Sequence, residues 1–330
     1  MRSGMRMAEI RKDPLSESVV IYSPGRENRP DFTGIKKSIE LSPENCPFCR
    51  GNEDMTPPEI YRIPEDSPDW KVRVIPNKFP VLNVEERKRT VDHGIYKMET
   101  DAGAHEIIIE TPDHSEAVLM GASGYRTIFT AWRNRINDLK RDIRFRYVQV
   151  FKNHKAPAGA TISHHHSQLI ALPFVPDQIK NKVTASQRYF SENGRTVFDD
   201  MIRSESEGQE RTVYENGGFI AVAPWYSRTP FQVSIYNHQG HARFEDIQDR
   251  DIDQLSELWD VVMGKINRAL GDPAMNIGLI NSPFGSSDPG FSWYLEILPL
   301  TGGIGGFEAV TGTYINPVMP EKAASILKKV

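Results

Sequence analysis

The chain has 330 residues and a mass of 37.4 kDa, enough for two domains of ordinary size. Its 40 basic and 44 acidic residues leave a net charge of −4, which argues against a nucleic-acid partner, whose binding needs a basic surface. Mean hydropathy is −0.48 and no apolar run reaches the roughly 18 residues of a spanning helix, so no membrane partner is expected.

The opening residues, MRSGMRMAEIRKD, carry no apolar signal region. The only two cysteines, Cys46 and Cys49, share one CPFC motif. A disulfide framework is thereby excluded, and a reducing cytoplasm is the expected location.

In chain order, VRVIPNKF (72–79) and the β-branched AHEIIIET (104–111) read as strands. Residues 116–141 have helical apolar spacing at Phe129, Trp132, Ile136 and Leu139. RYVQVFKN (146–153) and SQLIALPF (167–174) are two further strands. The polar stretch 177–216 reads as helical with a break at Asn193–Gly194. The same order then recurs. GFIAVAPW (218–225) and FQVSIYN (231–237) are strands. Residues 247–270 form an amphipathic helix with Ile252, Leu255, Leu258, Trp259, Val262, Met263 and Ile266 on one face. MNIGLIN (275–281) and WYLEILP (293–299) close the set.

Landmarks pair at nearly constant offsets: His114 with His241 (127), Asn153 with Asn281 (128) and Pro173 with Pro299 (126). Pro76 pairs with Pro224 at 148, so an insertion is expected in the first half. The expected fold is α+β, with mainly antiparallel sheets packed against helices. The boundary falls near 176, giving domains 1–176 and 177–330.

Two constellations carry chemistry. In FKNHKAPAGATISHHHSQLIALP, a strand ends at Asn153, a small-residue loop follows, and His164, His165 and His166 lead into the next strand. Alternation in extended backbone puts His164, His166 and Gln168 on one face and His165 on the other. Beside a loop whose amides can approach an anion, that face suits a phosphate. A neutral imidazole can attack phosphorus, and the phosphorus–nitrogen bond it forms is reactive enough to pass the group on. The alternative is a surface histidine cluster or a fortuitous metal site.

CPFC is either a zinc knuckle or a redox pair. It follows the turn-like LSPEN and starts no clear helix, which favours zinc. Zinc takes four ligands. No finger-type spacing supplies the other two, so distant histidines are the natural donors.

Smaller features accompany these. Arg26 and Arg29 could grip a phosphate or carboxylate, or be solvated. Asn77 and Phe79 could hold a ribose or base, or pack a strand end. Glu308 lies in the glycine-rich GIGGFEAVTGTY, which by itself reads as a turn-rich C-terminal hairpin.

CPFC, TPDHS around His114 and FKN…AG…HHHSQ, in that order, resemble the galactose-1-phosphate uridylyltransferase family, a branch of the histidine-triad superfamily. EIRKDPLSESVVIYSPGRENRP resembles that family's N-terminus, and the match spans essentially the whole chain. The resemblance implies two tandem histidine-triad-like halves, a homodimer, and a place in galactose and carbohydrate metabolism. It implies that His166 is the nucleophile that takes up the nucleotidyl group and that Gln168 binds the phosphoryl. Cys46, Cys49, His114 and His164 would bind zinc. Arg26, Arg29, Asn77, Phe79, Phe151, Asn153, Gly159 and Thr161 would contact nucleotide, and Phe307 and Glu308 the sugar.

Three departures bear on substrate. The second-half strand FSWYLEILP lacks the histidines of a second metal site, HHHSQ replaces HPHGQ, and the sugar loop has no lysine. These features are closer to a sister group typified by plant ADP-glucose phosphorylase, in which phosphate is the acceptor. The leading expectation is uridylyl transfer between UDP-glucose and galactose 1-phosphate. ADP-glucose phosphorolysis is the alternative. Under the Pro173–Pro299 pairing, His164, His166 and Gln168 fall opposite Gly290, Ser292 and Tyr294. One active histidine per chain is therefore expected.

Overall fold

The computed structural model describes residues 9–12, 19–22, 41–114, 119–285 and 289–330. The first half contributes β1 (Glu9–Lys12), β2 (Val19–Tyr22), β3 (Tyr61–Ile63), β4 (Val72–Pro76), β5 (Thr90–His93), β6 (Tyr96–Thr100), β7 (Ala104–Ile109), α1 (Gly121–Leu139), β8 (Tyr147–His154) and β9 (His166–Leu172). The second contributes α2 (Asp177–Asn193), α3 (Val197–Gly208), β10 (Thr212–Glu215), β11 (Phe219–Val222), β12 (Val233–Asn237), α4 (Asp249–Leu270), β13 (Met275–Ile280), β14 (Tyr294–Pro299), α5 (Gly306–Thr311) and α6 (Pro320–Lys328).

Ten strands join in one sheet, ordered β10-β11-β12-β14-β13-β8-β9-β7-β4-β3, and every pairing in it is antiparallel. The halves meet where β8 pairs with β13, in the register Asn153 opposite Asn276. Outward from that seam the orders correspond: β8-β9-β7-β4-β3 on one side, β13-β14-β12-β11-β10 on the other. Helix α1 lies between β7 and β8 in sequence, and α4 between β12 and β13. The hairpin β5–β6 is inserted between β4 and β7, and its β6 pairs with β1, which pairs with β2, in a separate four-stranded sheet ordered β2-β1-β6-β5.

Strand alternation divides the large sheet into two faces. On one, Val148 and Val150 of β8, Leu169 and Ala171 of β9, Ile277 and Leu279 of β13, and Leu295 and Ile297 of β14 are buried with the apolar stripes of α1 and α4. Phe129, Trp132, Trp259, Phe244 and Trp293 interlock there through edge and tilted ring contacts. Fully burying each such side chain stabilises the fold by roughly 1.5–3 kcal/mol. Arg135 of α1 donates two hydrogen bonds to Glu106 of β7, at 2.8 and 2.7 Å, and fixes the helix on the sheet. The opposite face carries Gln168, Phe151 and Asn153.

Differences from the sequence reading have local causes. The strand read at 218–225 stops at Val222, ahead of Pro224, which has no amide to donate. The break in 177–216 falls where expected: Gly194, at φ +69°, ends α2, and the Thr196–Asp199 capping box starts α3. The segment read as a C-terminal hairpin is instead the short helix α5, ended by Gly312 at φ +68°. Asn153 and Asn281 do not correspond. Asn153 is on the open face, while Asn281 accepts from the Phe244 amide and donates to Glu245 on the helix side. An even shift turns a strand residue to the other face here, so β8 and β13 correspond at an odd offset.

Candidate active site and metal centre

A cavity of about 500 Å³ opens on the face away from α1 and α4. It collects Asn77 and Phe79 after β4, His105 of β7, Phe151 and Asn153 of β8, Gly159 and Thr161 of the following loop, and His166 and Gln168 of β9. Six of the ten residues expected at substrate therefore line one cavity with His166 and Gln168. Phe307 and Glu308 do not. They lie on α5, beyond the end of β14; Phe307 is about half exposed, and Glu308 lines a different cavity of about 330 Å³ with Arg228 and Asn276. Arg26 and Arg29 lie outside the described residues.

His166 is buried at the start of β9. Its Nδ1 donates to the His164 carbonyl at 2.7 Å, which leaves the Nε2 lone pair uncommitted by that bond. Burial, assisted by the Lys152 ammonium, pushes its imidazolium down to about 4 even though the carbonyl bond opposes the shift. At neutral pH the ring is thus a neutral base. Phe48 of CPFC packs edge-on against His166 and His164, with ring centroids 5.3 and 5.9 Å apart.

His105 was missed in the sequence, where it is a lone histidine in an apolar strand. Its Nδ1 accepts from the Val81 amide at 3.2 Å, so the proton belongs on Nε2. Nε2–H then donates to Gln168 Oε1 at 3.0 Å, which turns the Gln168 amide NH₂ to the remaining directions. The only sequence signal was parity: His105 shares its strand face with Ile107, which also lines the cavity.

The loop between β8 and β9 differs from expectation in one respect. The amides of Ala158, Gly159 and Ala160 are spent on the carbonyls of Lys155 and Ala156. What the loop offers the cavity is shape, with Gly159 at φ +99°, rather than a set of free N–H groups.

Behind CPFC, Cys46, Cys49, His114 and His164 bring their donor atoms within 4.8 Å of one another. Cys49 Sγ lies 3.3 Å from His114 Nδ1 and 3.5 Å from His164 Nδ1, and Cys46 Sγ lies 3.5 Å from the latter. His164 Nε2 donates to the Thr111 carbonyl at 2.8 Å, which turns Nδ1 toward the sulfurs. Asn52 Nδ2 donates to the Cys46 and Pro43 carbonyls and shapes the knuckle. The Arg50 amide donates to the Pro112 carbonyl and ties the knuckle to the turn bearing His114. Burial, and then proximity to Cys46, pushes the Cys49 thiol up to about 12. Two thiols this close in a buried site resist ionisation on their own, and a divalent cation would supply the positive charge that lets them ligate as thiolates. The four residues could hold one metal ion.

His165 faces the other way, as alternation requires. Lys152 Nζ donates to its Nδ1 at 2.7 Å and forms an ion pair with Glu110.

The family model for the N-terminal domain of galactose-1-phosphate uridyl transferase matches residues 3–176. A second, described as a domain of unknown function (DUF4921), matches residues 102–329. ADP-glucose phosphorylase of Arabidopsis thaliana is 35% identical over 330 residues, 98% of this chain and 93% of that protein. Galactose-1-phosphate uridylyltransferase of Thermotoga maritima is 27% identical over 335 residues, 98% of each. The crystal structure of the Arabidopsis ADP-glucose phosphorylase with bound ADP-glucose superposes with a TM-score of 0.79 at 35% identity, over 98% of this chain and 99% of that one. Fold and relatives together define the class: an α+β nucleotidyltransferase. Within that class, the chain belongs to the galactose-1-phosphate uridyl transferase family.

Proposed function

We propose that the protein transfers a nucleotidyl group between a nucleotide sugar and a second acceptor by double displacement through His166. The observation that carries this reading is the neutral, buried His166, its Nδ1 tied to the His164 carbonyl, in a cavity large enough for a nucleotide. The Nε2 lone pair attacks the α-phosphorus. A P–N bond forms, the P–O bond to the sugar phosphate breaks, and hexose 1-phosphate leaves with that electron pair. The acceptor's phosphate oxygen then displaces the histidine and regenerates the neutral imidazole. The Gln168 amide donates to a phosphoryl oxygen, aimed by His105. Asn77, Phe79, Phe151, Asn153, Gly159 and Thr161 enclose the nucleotide, and Arg26 and Arg29 counter its phosphate charge.

The metal bound by Cys46, Cys49, His114 and His164 is zinc in this reading, since two thiolates and two imidazoles make a closed tetrahedral set. When bound it supplies structural support. The chain's own part is done by His164, whose carbonyl orients His166.

Two substrate pairs fit. One is uridylyl transfer between UDP-glucose and galactose 1-phosphate. The other is ADP-glucose phosphorolysis with phosphate as acceptor, favoured by 35% identity to the plant phosphorylase against 27% to the Thermotoga enzyme. Residues 1–176 form the catalytic domain in this reading, and 177–330 the domain without a nucleophile. Exposed Ile304, Phe307, Val310, Ile315 and Met319 form an apolar stretch suited to a homodimer interface, from which Phe307 and Glu308 could still reach a sugar. Among the described residues no helix is long and apolar enough to cross a membrane, and free cysteines at a metal site suit the cytoplasm.

The test is the intact mass of protein incubated with UDP-glucose or ADP-glucose. A UMP adduct discharged by galactose 1-phosphate identifies the first pair, and an AMP adduct discharged by phosphate the second. No adduct from either, with His166→Gly behaving as wild type, refutes the covalent route.

A further inference from the structure

The second half of the chain has no counterpart of His166, yet it reaches the cavity's edge through the turn that follows α4 and the start of β13. We propose that Asp272 and Asn276 are positioning residues: they hold the loop 155–161 in the shape that closes the nucleotide cavity. The proposal rests on the reading of that cavity given above.

The loop cannot be expected to keep its shape unaided. Lys155 sits at φ +67°, ψ 161°, a conformation that a residue with a Cβ rarely adopts. Gly159 follows at φ +99°, after a single 3-10 turn over Ala156–Ala158. The loop's internal hydrogen bonds close back on Lys155 and Ala156, so they fix its curl but not its place against β9.

The outside anchors come from residues just past the end of α4. Asp272 follows the helix-ending Gly271 and itself sits at φ +56°. Its carboxylate accepts from His154 Nε2 at 2.8 Å and from Lys155 Nζ at 2.7 Å, and its carbonyl accepts from Lys155 Nζ at 2.5 Å. Thus both residues at the strained corner are tied to one side chain. Asn276 holds the other end. Its Nδ2 donates to Asn153 Oδ1 at 2.9 Å and to the Ala158 carbonyl at 2.8 Å. Asn153 lines the cavity, and Ala158 immediately precedes Gly159, which also lines it. A bracket of five residues in the second half therefore sets where the wall facing His166 stands. Group transfer needs the reacting atoms within about 3–3.5 Å, so a wall displaced by an ångström weakens substrate placement.

Three variants test this: Asp272→Ala, Asp272→Asn, and Asn276→Asp, which keeps the shape of Asn276 but removes both donated bonds. The expected result is a rise of about tenfold or more in KM for the nucleotide sugar in Asp272→Ala and Asn276→Asp. Asp272→Asn, which still offers His154 an acceptor, should show a smaller rise. The kcat per active site, counted by adduct formation, should fall much less. A purely structural role would lower the number of competent sites and leave KM alone. Lys155→Gly relieves the strained corner and removes the Lys155 bonds to Asp272, leaving only that of His154, so in that background Asp272→Ala should raise KM by less than half as many fold. KM within twofold of wild type in both Asp272→Ala and Asn276→Asp overturns the proposal, as does an Asp272→Ala effect undiminished by Lys155→Gly. If wild type forms no adduct, the reading of the cavity fails. The bracket is then judged by calorimetric Kd for ADP-glucose and UDP-glucose, with the same tenfold criterion.

Discussion

The ion pair between Lys152 and Glu110 offers the strongest test of how the strands under His166 are held. Lys152 lies on β8 between Phe151 and Asn153 but points to the helix face, where its side chain is 10% exposed and that of Glu110 only 2%. The Glu110 amide donates to the His165 carbonyl, so the pair sits directly behind the histidine run. Burial alone would raise the Glu110 carboxyl; the Lys152 ammonium, and then His165, overcome that and hold it at about 2 instead of 4.5. The difference corresponds to roughly 3 kcal/mol.

Lys152→Met removes the cation and leaves a buried carboxylate, a change that costs about 3–5 kcal/mol. At roughly 2 °C per kcal/mol for a chain of this size, the melting temperature should drop by about 6–10 °C. Because Glu110 titrates lower in the folded than in the unfolded protein, its contribution is complete above the unfolded value of 4.5. It is lost as pH falls toward about 2. The variant should therefore lose acid sensitivity along with stability. Lys152→Met combined with Glu110→Leu replaces the pair by apolar volume and should recover at least half of the lost stability. Thermal and urea melts of the four proteins measure the cycle. A Lys152→Met protein melting within about 2 °C of wild type, or a double variant no more stable than the sum of the singles, would refute the coupling.

Metal analysis should find about one zinc per chain, with Cys46→Ser and His114→Ala losing it and melting lower; full zinc retention in both would contradict the ligand set. Because His166 is pushed down to about 4, adduct formation should be flat from pH 6 to 8 and fall only below about pH 5. A break near 6.5 in single-turnover rates would show an ordinary imidazole instead. Gln168→Ala should slow adduct formation by about 10²–10³, as loss of one phosphoryl-oxygen donor does. His105→Ala, which only removes the bond that aims Gln168, should cost about tenfold by the same assay. Equal losses in the two would mean that His105 acts on substrate directly.

How far the sequence could be read depended on the range of the interactions involved. The α4 stripe and the alternation of His166 and Gln168 are set by neighbours a few residues away, and both stand as read, whereas His164, ahead of β9, turns to Cys46 and Cys49 instead of the cavity. Even the insertion of β5–β6 was visible, as one pair of prolines out of step with the rest. The metal-ligand cluster was half visible. Cys46 and Cys49 announce it, but His114 and His164 reach it across 65 and 115 residues from Cys49, and only the family resemblance named them. His105 and α5 were not seen. A single histidine has no pattern of its own, and a six-residue helix set among glycines has too few turns to show periodicity.

The least legible feature is also the one that connects the two halves. Asp272 and Asn276 look in sequence like the residues that end one helix and begin one strand. They acquire meaning only because β13 pairs with β8 in a register that sets Asn276 opposite Asn153. A half that keeps the strand order but not the nucleophile is still constrained by that seam. Any substitution that shifted β13 by one residue would turn Asn276 away from the loop and put Ile277 against the open face. The second half thus meets the cavity wall through register: Gly290 and Ser292, which pair in sequence with His164 and His166, supply no imidazole, and Asn276 reaches the loop only because β13 sets it opposite Asn153.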